Sequence, residues 1–242
     1  MSISKGEAWG IITARGGSKS IPLKNLVSVR GKPLIAYNIE AATKAKSIGR
    51  IICSTDHDGI GKTAKSLGVE VLWRPEYLSG DLVNSIDVMI HVAETMMEKV
   101  GGVAEILALL QPTSIFLTAD QIDRAVGALL NNPQAGSAQT VVQVPHQFHA
   151  HNQRAISKDG NDIWFVFHKE REKGYSKQTK PTYYTYGNLI VTRTEALLRE
   201  KTLFSRPSIP IVIPLNHAYD LDGPDDITPA ELMIEKRLVK ID

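Results

Sequence analysis

Short apolar segments alternate with longer amphipathic segments along most of this 242-residue chain. The apolar segments have the length of buried strands, which predicts strands at residues 8–14, 51–54, 69–73, 105–110, 136–144, 188–192 and 209–213. Apolar side chains at helical spacing predict helices at residues 33–46, 60–67, 83–100, 119–131, 194–200 and 229–238. Two strands that are joined by a helix are typically parallel neighbours in one sheet. The alternation therefore predicts an α/β fold. We expect a mostly parallel, Rossmann-like sheet with helices on both faces.

The alternation stops between residues 145 and 185, where the chain is polar and aromatic and sustains no clear period. We interpret this segment as an excursion from the sheet that covers the site or a partner subunit, within one domain spanning residues 1–242. It carries three closely spaced histidines, His146, His149 and His151. A metal site is one interpretation of them. We favour contacts to a substrate or to a second subunit.

Charge and cysteine content exclude several classes of protein. A net charge of +2 gives no basis for a nucleic-acid or membrane partner. The single cysteine, Cys53, excludes a disulfide framework, and its apolar neighbours favour a buried structural thiol over a nucleophile. No apolar stretch is long enough to span a bilayer, and the first residues lack the apolar core of a signal peptide. We therefore expect a cytoplasmic protein.

A loop with two adjacent glycines follows the first predicted strand directly. Gly16 and Gly17 lack a Cβ atom, so their backbone N–H groups can approach a bound group closely. Arg15, Lys19 and Lys24 add three positive charges around them. Backbone donors and fixed cations together suit a polyphosphate. The alternative is a solvated basic loop, and the position of the loop at the end of a buried strand favours the phosphate site.

Two aspartates near the end of the chain suggest a metal site. Asp220 and Asp222 would point the same way if their segment is extended. Two such carboxylates suit Mg²⁺ shared with phosphate oxygens. The alternative is an Asp-rich turn, in which Asp225 or Asp226 caps the last helix. Which interpretation holds for Asp220 and Asp222 depends on whether they face the glycine loop.

Polar residues follow the other predicted strands as well, where ligands bind in open parallel sheets. Taken together with the loop and the aspartates, they form a series of motifs, namely Ala14–Asn25, Ser54-Thr-Asp56, Arg74-Pro, Ser79-x-Asp81, Leu110-Gln-Pro-Thr-Ser114 and Asp220-Leu-Asp-x-Pro-Asp-Asp226. This series resembles the acylneuraminate cytidylyltransferases, the CMP-sialic acid synthetases, nearly end to end and in the order and spacing of that family. The resemblance implies the nucleotide-diphospho-sugar transferase fold. It also implies a reaction of CTP with a nine-carbon 2-keto sugar acid, which gives a CMP-sugar and pyrophosphate.

The resemblance assigns roles to residues by position. Residues expected to bind the nucleotide are Arg15, Gly16, Gly17, Ser18, Lys19, Lys24, Asn25, Arg74, Ser85 and Gln111. Residues expected to bind the sugar are Gln111, Thr113, Lys177 and Gln178, and Asp220 and Asp222 are expected to bind Mg²⁺. Among all of these, Arg15, Lys24 and Asp222 are the expected catalytic residues. The family also implies a homodimer formed through the excursion.

Three departures from the family pattern leave the acceptor open. Ile115-Phe-Leu117 stands where the family has Pro-Leu-Arg, Lys177-Gln178 where it has Arg-Gln, and Tyr186-Gly-Asn-Leu-Ile190 where it has Asn-Gly-Ala-Ile-Tyr. Legionaminic acid, pseudaminic acid and N-acetylneuraminic acid are all compatible acceptors, and a CMP-Kdo synthetase-like activity is the alternative. The altered motifs also motivate a second alternative, a nucleotide-binding module without catalysis.

A P-loop protein is a rival interpretation. Residues 56–63 follow a predicted strand, open a helix and lack only the first glycine of G-x-x-x-x-G-K-T. The aspartate in place of that glycine, Asp56, would repel the phosphates that the loop must bind. We therefore favour the cytidylyltransferase interpretation.

Overall fold

The computed structural model describes residues 2–173, 176, 178 and 180–242. Its strands are β1 Ser2–Thr13, β2 Ser28–Val29, β3 Lys32–Pro33, β4 Ile48–Thr55, β5 Glu70–Trp73, β6 Gly102–Leu110, β7 Ser137–Gln143, β8 Arg154–Ile156, β9 Ile163–Phe165, β10 Tyr184–Arg193 and β11 Ser208–Val212. Its α-helices are α1 Leu34–Lys44, α2 Asp58–Ser66, α3 Ser85–Val100, α4 Ala119–Leu130, α5 His168–Lys173, α6 Thr194–Glu200 and α7 Ile227–Glu235.

Seven strands form the main sheet, in the order β11-β7-β10-β6-β1-β4-β5. Strand β1 is parallel to β4 and β6, β4 is parallel to β5, and β7 is parallel to β11. Strand β10 runs antiparallel to both of its neighbours, β6 and β7. An antiparallel neighbour needs no helical crossover, so the chain can leave β7, form the excursion and return beside it. The predicted mostly parallel sheet is confirmed.

Helices cover both faces of the sheet. Side chains of α1, α2 and α4, such as Ile35, Ile60 and Ile122, pack on one face. Side chains of α3 and α6, such as Met89 and Leu197, pack on the other. Burial of each such side chain contributes about 1.5–3 kcal/mol, which fixes the helices against the strands. The predicted helices on both faces are confirmed.

A third cluster fixes the C-terminal segment beside the first loop. Leu221 and Phe116 are fully buried and pack with Ala230 of α7 and with Leu34. The ring of Phe116 also contacts Tyr219, with centroids 5.6 Å apart. Residues 115–117, which depart from the family pattern, are thus buried core residues. Their packing brings residues 220–222 to the carboxyl end of the sheet.

Several element boundaries differ from the predictions. Strand β1 begins at Ser2, six residues before the predicted start, because residues 2–4 pair with 102–104 although two of the three are serines. The register then shifts between Ser4 and Ala8, where Gly6 has a φ of 77°. Helix α7 spans Ile227–Glu235 and not residues 229–238. Hydrophobic periodicity misses strand ends whose side chains are exposed on the surface.

The excursion contains regular structure in short pieces. Strands β8 and β9 form a separate two-stranded sheet, and helix α5 follows them. A hydrogen bond from the Val144 N–H to the Tyr183 carbonyl, 2.9 Å long, closes the excursion where it leaves the main sheet. Pieces of three to six residues are too short for periodicity to show in the sequence. Among the described residues, no helix has the length and apolarity needed to cross a membrane.

Candidate active site

A cleft of about 500 Å³ opens at the carboxyl ends of the parallel strands. It brings together nine of the residues predicted to bind substrate, namely Arg15, Ser18, Lys19, Lys24, Asn25, Arg74, Ser85, Gln111 and Thr113. It is also lined by residues to which the sequence analysis gave no role, Thr13, Ser20, Asp81, Val83, Val88 and Pro112. The edge of the sheet at which the polar residues were expected is therefore the edge at which the cleft lies.

The loop after β1 is fixed against the start of α2. The Gly16 N–H donates a 2.9 Å hydrogen bond to Asp56 Oδ1, so it is engaged within the protein. A Cβ atom on Gly16 would lie 2.9 Å from the Cβ atom of His57, which explains why glycine is needed there. The position of Gly17 is open, with no atom within 4 Å of where a Cβ would stand. The two glycines thus have different functions, and Gly17 is the one exposed beside the cleft.

Asn25 stabilises the same loop through its side-chain amide. Its side chain is 8% exposed, and its Nδ2 donates a 2.9 Å hydrogen bond to the Arg15 carbonyl. It lies in a 3₁₀ turn that spans Lys24–Leu26. Asn25 therefore holds the backbone of Arg15 in place while one side of it lines the cleft.

Two cations of the loop share one carboxylate. Asp81 Oδ1 lies 3.2 Å from Arg15 Nη2, and Asp81 Oδ2 lies 2.6 Å from Lys19 Nζ. Arg15 Nη1 also donates a 2.7 Å hydrogen bond to the Gly80 carbonyl. The hydrogen bond from Lys19, followed by the charges of Lys19 and Arg15, holds the pKa of Asp81 below its usual value. Asp81 is therefore an internal counter-ion to the cations of the first loop, recognisable in the sequence only as part of Ser79-x-Asp81.

Arg74 spans the ends of two strands. Its guanidinium donates to the Ser54 carbonyl at 2.8 Å, to Ser54 Oγ at 3.3 Å and to the Leu78 carbonyl at 3.4 Å. The residue is 9% exposed. Burial lowers the pKa of the guanidinium, and the nearby charge of Asp56 opposes that shift. Arg74 is thus a buried cation with a fixed orientation at the wall of the cleft.

Lys24 joins the first loop to the C-terminal segment. Its Nζ donates to the Asp222 carbonyl at 2.9 Å and to the Leu221 carbonyl at 3.3 Å, and it lies 3.7 Å from Asp222 Oδ1. The Leu221 N–H donates a 3.0 Å hydrogen bond to the Thr113 carbonyl. The Asp220–Asp222 segment therefore lies beside the first loop through Lys24, although neither aspartate is among the residues that line the cleft.

The two aspartates differ in environment. Burial raises the pKa of Asp220, hydrogen bonding from Thr113 opposes that shift, and the charge of Asp222 adds to it. Ser114 Oγ lies 3.4 Å from Asp220 Oδ1, whereas the Asp222 side chain is 79% exposed. Two carboxylates that repel each other at the edge of a cleft fit a divalent cation. Within the described residues, no group of three or more His, Cys, Asp or Glu is placed to hold a metal ion.

The predicted helix cap is confirmed for Asp226 in position but not in side-chain bonding. Asp226 occupies the N-cap position of α7 but makes no side-chain bond to that helix. Its carboxylate instead accepts hydrogen bonds from the Asp222 N–H at 2.9 Å and the Gly223 N–H at 2.7 Å. The bond from Gly223 is the main reason why the pKa of Asp226 is lowered. Asp226 therefore closes the turn that carries Asp222.

The residues predicted for the sugar separate into two groups. Gln111 and Thr113 line the cleft. Gln178 is exposed in the excursion and is not part of the cleft lining, and Lys177 lies outside the described residues. Lysine and glutamine in a polar segment carry no signal that distinguishes an acceptor contact from an exposed side chain.

His149 has no ring nitrogen available for a metal. Its Nδ1 accepts the His151 N–H at 3.1 Å, and its Nε2 lies 2.9 Å from the Pro181 carbonyl. Its ring stacks on Tyr183, with centroids 4.7 Å apart. This geometry argues against the metal interpretation of the histidines, which the sequence analysis had also disfavoured.

Two further sequence hypotheses are decided by the structure. The residues that could have formed a P-loop are helical from Asp58, with Gly61 packed against Trp73 and Lys62 exposed, so that hypothesis is wrong. Cys53 is fully buried, and burial raises the pKa of its thiol to about 12. The predicted structural thiol is confirmed.

The fold and the cleft together define an α/β nucleotidyltransferase. Residues 9–208 match the sequence model of the family described as cytidylyltransferase, and the chain belongs to that family. It is 27% identical to a pseudaminic acid cytidylyltransferase of Campylobacter jejuni, over 92% of this chain and 94% of the relative. It is 29% identical to a CMP-N,N'-diacetyllegionaminic acid synthase of Legionella pneumophila, over 93% of this chain and 95% of the relative. An N-acylneuraminate cytidylyltransferase of Escherichia coli is 29% identical over 94% of this chain and 52% of the relative.

Solved structures establish the fold independently. A CMP:2-keto-3-deoxy-manno-octonic acid synthetase complexed with CTP superposes with a TM-score of 0.67 at 15% identity, covering 96% of this chain and 99% of that one. A 4-diphosphocytidyl-2C-methyl-D-erythritol synthase from Anaerococcus prevotii gives a TM-score of 0.63 at 11% identity, covering 95% and 96%. The predicted nucleotide-diphospho-sugar transferase fold is confirmed.

Proposed function

We propose that the protein joins CTP to a nonulosonic acid, a nine-carbon 2-keto sugar acid, with release of pyrophosphate. One observation carries this proposal. The cationic residues Arg15, Lys19 and Lys24 line one cleft, and Lys24 contacts Asp222 of the carboxylate pair, which lies next to that cleft. Relatives that match over most of this chain are named for pseudaminic, legionaminic and N-acylneuraminic acids, which indicates the class of acceptor.

In this reaction a hydroxyl oxygen of the acceptor attacks the α-phosphorus, and the bond from that phosphorus to the bridging oxygen of pyrophosphate breaks. Negative charge grows on the phosphoryl oxygens and on the leaving group. We assign Arg15 and Lys19 to the β- and γ-phosphates, because their present partner, Asp81, is itself an anion at that end of the cleft. The triphosphate would displace Asp81 from both cations.

Lys24 suits the α-phosphate. Its side chain is only 13% exposed and is held by two backbone carbonyls beside Asp222, which fixes the ammonium group in advance. A cation with a fixed position stabilises the transition state without reorganisation, and loss of one such group typically costs about 10²–10³ in turnover. Arg74, Ser85 and Gln111 would surround the nucleotide and the acceptor.

Asp220 and Asp222 would hold Mg²⁺. When bound there, the ion would neutralise phosphate charge and polarise the phosphoryl group. Thr113 and Ser114 orient the Asp220 carboxylate through hydrogen bonds, and Asp226 holds the backbone of Asp222. These contacts would keep both carboxylates in position before the ion and the nucleotide arrive.

The decisive experiment measures pyrophosphate release from CTP and Mg²⁺ in the presence of single acceptors. The panel contains pseudaminic acid, N,N'-diacetyllegionaminic acid, N-acetylneuraminic acid and the eight-carbon acid 2-keto-3-deoxy-manno-octonic acid. Turnover with at least one nine-carbon acid supports the proposal. Turnover with the eight-carbon acid alone supports the alternative raised by the structural neighbour. CTP binding without turnover on the whole panel would indicate a module without catalysis.

We further propose that the protein is a homodimer formed through the excursion, and that it works in the cytoplasm. Ile156 and Ile163, cross-strand partners in the β8–β9 hairpin, are 65% and 58% exposed in the single chain, and Trp164 on the opposite face of the hairpin is 47% exposed. Apolar side chains grouped in this way are typical of surfaces that a second subunit covers. Light scattering on the purified protein measures the oligomeric state directly.

A further inference from the structure

Helix α1 carries a polar side chain in the core. Asn38 is fully buried, and one turn earlier on the same helix Leu34 and Ile35 pack into two different hydrophobic clusters. A buried amide destabilises the fold where one of its polar atoms lacks a partner. Among the described residues, Asn38 Oδ1 is one of the few buried side-chain atoms without a hydrogen bond. Packing alone therefore does not explain an asparagine at this position.

The nitrogen of this amide bonds to the turn that follows β6. Asn38 Nδ2 donates a 3.2 Å hydrogen bond to the Ser114 carbonyl. Because a carbonyl oxygen can only accept, this bond fixes the orientation of the amide. The same carbonyl also accepts the Leu117 N–H at 3.3 Å, so it would keep a partner without Asn38. The amide therefore serves mainly to tie the turn to α1.

The turn at residues 111–115 in turn holds Asp220. Ser114 Oγ donates to Asp220 Oδ1 at 3.4 Å, and the Thr113 side chain also hydrogen-bonds to that carboxylate. The Thr113 carbonyl accepts the Leu221 N–H at 3.0 Å, so the backbone beside Asp220 is tied to the same turn. Thr113 also lines the cleft. A shift of the turn would therefore move the Asp220 carboxylate and the cleft wall together.

We infer that Asn38 is a positioning residue for the proposed metal site. It is not among the residues that line the cleft, and it acts by holding the Ser114 carbonyl and thereby the turn that orients Asp220. Loss of a group that orients a metal-binding side chain typically costs about 10–100-fold in metal affinity or activity. The inference rests on the proposed function, in which Asp220 and Asp222 hold Mg²⁺.

The experiment measures how Mg²⁺ changes the affinity for CTP in the absence of an acceptor. Calorimetric titrations at a series of Mg²⁺ concentrations give the concentration that produces half of the full effect on the Kd for CTP. Asn38→Leu removes the amide and keeps a side chain of the same branching. We expect it to raise this half-effect concentration by about ten-fold. Thr43→Val is the matched control, since it removes a 2.8 Å bond from Thr43 Oγ1 to the Ile39 carbonyl within the same helix and should leave that concentration unchanged.

Thermal stability separates positioning from a structural role. Leucine favours a helix more than asparagine does, and the substitution removes an unpaired buried oxygen, so the melting temperature of Asn38→Leu should be equal or higher. A lower melting temperature with an unchanged half-effect concentration would show a structural role and overturn the inference. Asn38→Ala is a second variant, which removes the amide without adding bulk, and it should raise the half-effect concentration as well.

Ser114→Ala tests whether Asn38 acts through the turn. In that background Asn38→Leu should raise the half-effect concentration much less than it does in the wild type, because both variants release the same carboxylate. Independent, additive effects overturn the inference. A wild-type affinity for CTP that does not depend on Mg²⁺ overturns the metal site and the role of Asn38 together. Absence of pyrophosphate release with every nonulosonic acid overturns the proposed function, whereas an unchanged half-effect concentration in Asn38→Leu, with an active wild type, overturns the role of Asn38 alone.

Discussion

The cleft and the excursion at residues 145–185 differ in how their side chains are held. In the cleft, charged groups are fixed by other parts of the fold, as Arg74 is by Ser54 and Lys24 by the Asp222 carbonyl. In the excursion, aromatic and aliphatic side chains such as Trp164 remain exposed. The cleft is organised by contacts within the protein, whereas the excursion leaves apolar side chains exposed.

The two regions suit two different properties, catalysis in the cleft and association at the excursion. Fixed charges at the strand ends suit a reaction that requires electrostatic stabilisation, because they need no rearrangement when negative charge develops. An apolar hairpin outside the main sheet suits association, because its burial stabilises a complex without moving the cleft. Variants in one region should therefore leave the property of the other unchanged.

The largest effect is expected from Asp222→Asn. It removes charge from the proposed metal site at constant side-chain volume, so turnover should fall by about 100-fold or more while the fold and the oligomeric state persist. Steady-state pyrophosphate release measures turnover, and circular dichroism measures whether the fold persists. Asp225→Asn, an exposed neighbour without a role in the site, is the control. Near-normal turnover of the Asp222 variant would refute the metal assignment.

Trp164→Glu tests the excursion. A charge on the exposed face of the β8–β9 hairpin should raise the dimer dissociation constant by about ten-fold or more, because it would have to be desolvated in the interface. CTP affinity should not change. Sedimentation velocity and isothermal titration calorimetry measure these quantities, and Lys158→Glu in the turn of the same hairpin is the control. An unchanged dissociation constant would place the dimer surface elsewhere.

Arg74→Lys should combine a binding defect with a loss of stability. Lysine cannot reproduce the bonds from the guanidinium to Ser54 and Leu78, and we expect the free energy of unfolding to fall by about 1–3 kcal/mol. The KM for CTP should rise by about ten-fold as the orientation of the cation is lost. Urea unfolding and initial rates measure both effects. Retention of wild-type stability would show that these bonds are dispensable.

A smaller effect, of opposite sign, is expected from Asp81→Asn. Removal of the counter-ion frees Arg15 and Lys19 for the triphosphate, so the KM for CTP should fall by about three-fold. The change should shrink at high salt, where exposed ion pairs are screened. Asp87→Asn on α3 serves as the control, since its carboxylate is exposed. A rise in KM would show instead that Asp81 assists nucleotide binding.

Cys53→Ala should have the smallest effect. The thiol is buried in the core and its pKa is raised to about 12, so it is neither accessible nor ionised at neutral pH. Turnover should stay within about two-fold of the wild type, because the proposed reaction needs no nucleophilic side chain. Inactivation of the folded wild-type protein by a thiol reagent at neutral pH would contradict this assignment.

Much of the fold could be predicted because its signals are local. The apolar runs that became β4 and β6 and the amphipathic segments that became α3 and α4 are recognisable from neighbouring residues alone. The antiparallel direction of β10 could not be predicted, since strand composition does not encode direction. The β8–β9 hairpin was too short to give a period, and the sequence did not show that the carboxylate of Asp226 accepts from the preceding Gly223 N–H rather than from the helix that Asp226 begins.

The same distinction between local patterns and distant contacts applies to the candidate site. By itself, the sequence determined that a glycine loop with three cations follows a buried strand, and that two aspartates stand close together near the other end of the chain. Only the tertiary structure decided that Lys24 contacts Asp222, 198 residues away, and that Asp81 pairs with Arg15 and Lys19. Local patterns depend on residues close in the chain. Distant contacts depend on how the whole core packs, here on the burial of Leu221 and Phe116 that brings the aspartates to the cleft.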